Sequence, residues 1–253
     1  MKTKRVYDYP TRVFHWLFAL LFVIAFTIGT TVDDDSALFL FHMLAGLVLC
    51  ALVLFRVIWG FVGTKHARFS GFALHPKDLL RYAKDILAGT SSKWPGHNPA
   101  SSWAAILMMA FALGLGITGY LMANDQAGDY IEDLHELLAN GFLTIVLLHI
   151  AGLALHSLRH QDGLWKSMFT GLKTELPEQI DHVPAYLGIG TILLLGTVGF
   201  SGHLVQNLDS NNRTVTILGT QFVLGEQEDG EHANKRRESG HDTHRRHHDH
   251  DDD

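Results

Sequence analysis

Only one cysteine, Cys50, occurs in the 253 residues. Its isolation excludes an intramolecular disulfide framework, thioether attachment through a CxxCH string and any cysteine-rich zinc site. A redox or metal function must therefore rest on histidine, of which there are 17. Charge is scarce as well, at 18% of the chain, and ten of the 26 acidic and five of the 20 basic residues fall between Glu226 and Asp253. That tail carries most of the net −6, and what precedes it is nearly neutral. Such a chain lacks the general basic field that nucleic-acid binding uses, so no nucleic acid partner is expected. A glycine-rich dinucleotide fingerprint and an internal repeat of solenoid length are missing too.

What the sequence has in abundance is apolar length. A helix needs about 20 mostly apolar residues to cross about 30 Å of hydrocarbon. Five stretches qualify: Val13 to Val32, Ala37 to Val62, Trp103 to Met122, Leu134 to Leu158 and the Gly-rich Val183 to Val205. The first follows Lys2, Lys4 and Arg5 as a signal peptide would, but it is long, contains His15 and lacks an A-x-A cleavage site. It reads as a retained span. The expected fold is an all-α integral membrane four-helix bundle with a fifth transmembrane helix.

Lys and Arg alternate between the connections. Lys2, Lys4, Arg5 and Arg12 precede the first span, whereas the first loop holds Asp33, Asp34 and Asp35. The second loop holds Lys65, Arg68, Lys77, Arg81, Lys84 and Lys93; the third holds Asp125, Asp129, Glu132 and Asp133 with no cation; Arg159, Lys166 and Lys173 follow the fourth span. The positive-inside rule then places the N-terminus and the second and fourth connections in the cytoplasm, and the tail on the periplasmic side. Within the long second loop, Pro76 to Leu87 sets Leu79, Ala83, Ile86 and Leu87 on one helical face, as an interfacial helix or an ordinary soluble cap would. Asn98 and Pro99 read as the cap and first turn of the third span.

Histidines within the spans are costly in hydrocarbon and mark functional positions. His135 and His149 are 14 residues apart on the fourth span, just under four turns, so they share a face and differ in depth by about 21 Å. The first span runs outward and sets His15 at the inner level with His149. The second runs inward and sets His42 at the outer level with His135. Each pair offers two imidazoles from facing helices at one depth, which suits the two axial positions of a flat iron cofactor in a bundle core. Two non-covalent b haems need no cysteine, whereas zinc wants about four ligands. Taken alone, each histidine is better explained by a bond to a neighbouring helix, and His135 lies close enough to Glu132, Asp133 and Glu136 to be a surface residue; it is the pairing of four by depth that favours ligation. His156, seven residues beyond His149, competes as an inner ligand. Arg56, 14 residues after His42, and Arg12 stand where inner propionates would want cations, although Arg56 would equally snorkel to the interface.

The strings RVYDYPTRVFHW from Arg5, FHMLAGLVLCALVLFRVIWGFVGTKHARF from Phe41, GHNP from Gly96, TGY from Thr118 and LHELLANGFLTIVLLHIAGLALH from Leu134 cover most of residues 5 to 171. In order and spacing they resemble the bacterial and nickel-iron hydrogenase cytochrome b family, the prokaryotic five-sixty-one type. The resemblance implies a four-helix bundle holding two b haems, with axial ligands His15, His42, His135 and His149. It further implies electron passage between membrane quinones and a redox partner, in some members as the anchor of a larger oxidoreductase.

The expected organisation is a dihaem domain over 1–175, a fifth helix over 176–206 and a polar His- and Asp-rich tail over 207–253. In the tail TVTIL and FVL suggest a brief strand pair, and disorder is expected from Glu226 onward. The expected function is transfer of electrons across the bacterial inner membrane between the quinone pool and a redox protein. His156, Arg12, Arg56 and the helix after Pro76 would frame an inner quinone site. The acidic outer surface suits a basic c-type cytochrome or other redox subunit. The alternative is a divalent metal ion transporter that uses the intramembrane histidines as its path.

Overall fold

The computed structural model describes residues 2–90, 97–124, 128–160, 164–176 and 182–225. Among them, five helices are long and apolar enough to span a membrane: α1 (Tyr9–Thr31), α2 (Leu40–Val62), α4 (Pro99–Ala123), α5 (Asp129–His160) and α7 (Leu187–Gln206). The short elements are β1 (Lys2–Arg5), α3 (Pro76–Ala88), α6 (Ser167–Thr170), β2 (Leu172–Leu176), β3 (Leu208–Asp209), β4 (Thr214–Ile217) and β5 (Thr220–Val223). The molecule is an all-α membrane bundle with two small sheets at its ends. Lys93, Gly96, Asp125 and the His-rich stretch 226–253 lie outside the described residues.

Local chemistry sets the helix starts. Asp8 caps α1 by accepting from Thr11 N at 2.8 Å, with Pro10 in the first turn, so the helix opens before the apolar run does. Asn98 does the same for α4, accepting from Ser101 N at 2.8 Å ahead of Pro99. The fifth span begins at Leu187 and not at Val183, because Pro184 and Tyr186, the latter left-handed at φ 50°, precede it. The amphipathic α3 ends at Gly89, which takes the left-handed cap conformation at φ 76°.

Helices α1 and α2 pack together, as do α4 and α5, and α7 lies outside these four against α1 and α2. The close seam with α7 needs Gly190, where a Cβ would fall 2.4 Å from the Tyr9 ring. The central layer is aromatic: Phe14, Phe18, Phe22 and Phe142 are buried together, with Phe22 and Phe142 ring centres 4.3 Å apart. Antiparallel pairing of β1 with β2 brings the N-terminus beside the segment that follows α5, at the end carrying His15. The strand pair expected of TVTIL and FVL is present as β4 and β5, and β3 joins it. Residues 208–223 form an antiparallel sheet in the order β3-β4-β5, because Leu208, Val215, Ile217, Phe222 and Leu224 have an apolar surface to cover on α2 and α7.

Candidate cofactor sites

At the far end from the N-terminus, His42 in the first turn of α2 meets His135 in the second turn of α5, with ring centres 6.2 Å apart. Two imidazoles on one metal, with bonds of about 2 Å and about 1 Å more to each ring centre, would hold their centres about 6 Å apart. The second ring nitrogens are engaged. His42 Nδ1 donates to Ala25 O at 2.8 Å, which fixes its proton there because a carbonyl only accepts. His135 Nδ1 lies 2.7 Å from Thr118 Oγ1, and that hydroxyl donates to Gly114 O at 2.9 Å, so the imidazole is the donor. Both rings are thereby in the tautomer that leaves Nε2 with its lone pair, the form that a hydrogen bond to the other ring nitrogen fixes in metal-ligating histidines. A carbonyl and a hydroxyl thus leave both Nε2 atoms free to bind a metal ion.

Helix spacing makes room for this pair. A Cβ at Gly29 would sit 2.9 Å from the His42 ring, so only glycine lets α1 pass it. Both rings line an apolar cleft with an empty volume of about 910 Å³, including its open part; it is bordered also by Phe22, Gly46, Cys50, Leu115 and Gly119 among others. A flat, largely apolar group fits such a space. His135 is half-buried while Glu132, Asp133 and Glu136 beside it are exposed, so it faces the bundle and not the surface.

At the opposite end, His15 on α1 and His149 on α5 lie within electrostatic reach of each other and are both half-buried. Arg56 does not snorkel. It is 3% exposed, its Nη2 donates to Ala67 O at 2.9 Å, and it rests on the Phe69 and Phe72 rings at 5.2 and 5.8 Å. Among the described residues its Nη1, together with Arg12 Nε and Trp103 Nε1, is a buried donor without a hydrogen-bond partner. Unmade donors are rare in a folded interior, and here they suit an anionic group such as a carboxylate. Arg12 Nη1 donates to Phe169 O. His156 is buried on α5, two turns beyond His149 and on the same face.

Two residues at this end carry more than the sequence reading assigned them. Asp8, fully buried, accepts from Thr64 Oγ1 at 2.6 Å and Trp59 Nε1 at 3.2 Å besides capping α1, so it ties the start of α1 to the end of α2. His97, in the GHNP string, packs against Phe72 and Tyr7 at 4.7 and 5.6 Å. Burial pushes its pKa down to about 3, with Arg56, Lys173 and His149 adding to the effect, so it is neutral. The only sequence signal for either was membership of a quoted string.

Comparison with known proteins bears on what these sites hold. No solved structure matches the chain. It is 30% identical over 147 residues to the "Probable Ni/Fe-hydrogenase B-type cytochrome subunit" of Rhizobium leguminosarum bv. viciae, covering 49% of this chain and 61% of that protein. Against the similarly named subunit 1 protein of Escherichia coli K12 it is 34% identical over 148 residues, 48% of this chain and 61% of the other. A longer match, 26% over 212 residues, covers 67% of this chain and 85% of the Bradyrhizobium diazoefficiens protein of the same name. In the first two cases the chain spans less than two thirds of its relative. The family model for prokaryotic cytochrome b561 matches residues 6–171. With that match, and five helices able to span a membrane, the chain belongs to the prokaryotic cytochrome b561 family and is a multi-pass membrane b-type cytochrome.

Proposed function

We propose that the chain is a dihaem cytochrome that carries electrons across the bacterial inner membrane between the quinone pool and a redox protein partner. The observation that carries this reading is the His42–His135 pair, 6.2 Å apart with both Nδ1 atoms committed to oxygen acceptors. His42 and His135 would hold one b haem, His15 and His149 the other. A bound haem supplies a one-electron ferric–ferrous couple at each level. Arg56 and Arg12 would neutralise propionates at the His15 end, and the Phe22–Phe142 layer excludes water between the two levels. Residues 1–175 form the haem-binding unit on this reading, with α7 as an added span.

Lys and Arg counts support a cytoplasmic N-terminus, which sets the His15 end inside and the sheet β3-β4-β5 in the periplasm. Pairing of β1 with β2 agrees with an even number of spans between them. On the inner side the buried His156 would serve a quinone as its titratable neighbour, with α3 at the headgroup level. The acidic Asp33 to Asp35 would help to dock a c-type cytochrome or the redox subunit of a larger oxidoreductase, as the hydrogenase subunit names of the relatives suggest. A divalent-ion transporter would need a chain of ligands, whereas among the described residues no group of three or more His, Cys, Asp or Glu is placed to hold a metal.

Haem content by extraction with acid-acetone, together with reduced-minus-oxidised spectra, tests the reading. Two haems per chain are expected. His42→Ala or His135→Ala should remove one, His15→Ala or His149→Ala the other, and His156→Ala neither. Loss of a haem in the His156 variant with retention in the His149 variant would overturn the assignment on α5. Unchanged reduction by a quinol analogue in His156→Ala would move the quinone site elsewhere.

A further inference from the structure

The cleft between His42 and His135 is walled not only by the four bundle helices. Phe222, Val223 and Leu224 border it too, from the sheet that follows α7 and beyond the residues matched by the family model. We propose that these three residues belong to the cofactor site at the His42 end, as an apolar wall that holds the cofactor and keeps water from it. The inference rests on the reading of that cleft as a haem site.

Three features build this wall. Successive strand residues point to opposite faces, yet three in a row border one cavity, so the end of β5 runs across its mouth. The sheet is held on the bundle by apolar packing: Leu224 and Val215 bury against Leu40, Leu44 and Val48 of α2 and Leu204 of α7. It is also pinned to the α1–α2 connection, where Arg213 donates to Asp34 O and lies 3.9 Å from Asp35, while Arg213 O accepts from Leu224 N at 2.7 Å. Arg213 therefore links the loop beside the site to the residue that ends the wall. The left-handed φ of 48° at Arg213 is a local cost that this double anchorage offsets.

An apolar wall has a measurable consequence. Ferric haem with two neutral axial imidazoles carries one more positive charge than its ferrous form, and water stabilises the charged form better than phenyl and isopropyl groups do. Admission of water through the wall should lower the potential of the haem at this end and loosen it, with the other haem unaffected.

The test uses the full-length holoprotein carrying Phe222→Ala with Val223→Ala, Phe222→Leu alone, or Arg213→Ala, which loosens the sheet with the wall residues intact. Three readouts are taken: transfer of haem to apomyoglobin, the two midpoint potentials, and the reaction of Cys50, which borders the same cleft, with a small methanethiosulfonate. In the double variant the His42-dependent haem is expected to leave about tenfold faster and to titrate at lower potential, with faster Cys50 modification. Arg213→Ala should move all three in the same direction, and Phe222→Leu should stay near wild type. Unchanged release, potential and Cys50 reactivity in both loosened variants, with His42-dependent haem present, overturns the inference alone. Wild-type protein that loses no haem on His42→Ala overturns the reading of the cleft and the inference with it.

Discussion

Single side chains decide whether the paired histidines are ligands in waiting or packing. Thr118 is the clearest case, because its hydroxyl accepts from His135 and donates to Gly114 O. Thr118→Val keeps the shape and removes the acceptor. The stranded Nδ1–H costs about 1–2 kcal/mol, and retention of the haem at that end is expected to fall about tenfold, measured by transfer to apomyoglobin. His97 gives a prediction in pH. Its pKa lies near 3 against an ordinary 6.5, so between those values the unfolded chain binds a proton that the folded chain does not. Stability is therefore lost as pH falls through that window. Thermal unfolding in detergent should show a shallower decline from pH 7 to pH 4.5 in His97→Phe than in the wild type.

At the scale of elements, the joints matter more than the helices themselves. Asp8 stitches the first turn of α1 to Trp59 and Thr64 at the end of α2. Asp8→Ala uncaps α1 and strands two buried donors, and a loss of about 2–3 kcal/mol is expected in denaturant titrations. Phe142 occupies the middle of α5, seven residues from each of its two paired histidines and 1% exposed against Phe18 and Phe22. Phe142→Ala opens a cavity between the two levels, with an expected loss of about 3 kcal/mol. Wild-type haem content in that variant would show that the aromatic layer spaces the sites without binding cofactor itself.

Across the whole molecule, four helices form the bundle and a fifth lies outside them. Helix α7 meets α1 and α2 from outside, and its seam depends on Gly190 lying against Tyr9 and Pro10. Gly190→Leu should pry α7 from that seam and lower the melting temperature. The His15-end haem should persist, because none of its expected ligands lies on α7. Loss of that haem in the variant would show that α7 is integral to the haem-binding unit. The β3-β4-β5 sheet hangs from the end of α7, so the same variant also loosens the far site, and the two ends should respond unequally.

The sequence by itself determined the number of spans, their alternation and the depth levels of the histidines, because apolar length and a 3.6-residue period are local properties. From them it was legible that His42 shares a level with His135, and His15 with His149. What only the tertiary structure decided is which atoms these side chains meet. The Ala25 carbonyl that orients His42, the Thr118 hydroxyl that orients His135 and the Gly29 gap beside His42 come from other helices or other turns, and no periodicity announces them. The sheet after α7 was legible only as two apolar strings in a polar stretch. Its place over the far cleft follows from packing on α2 and α7, a surface that does not exist until those helices have met.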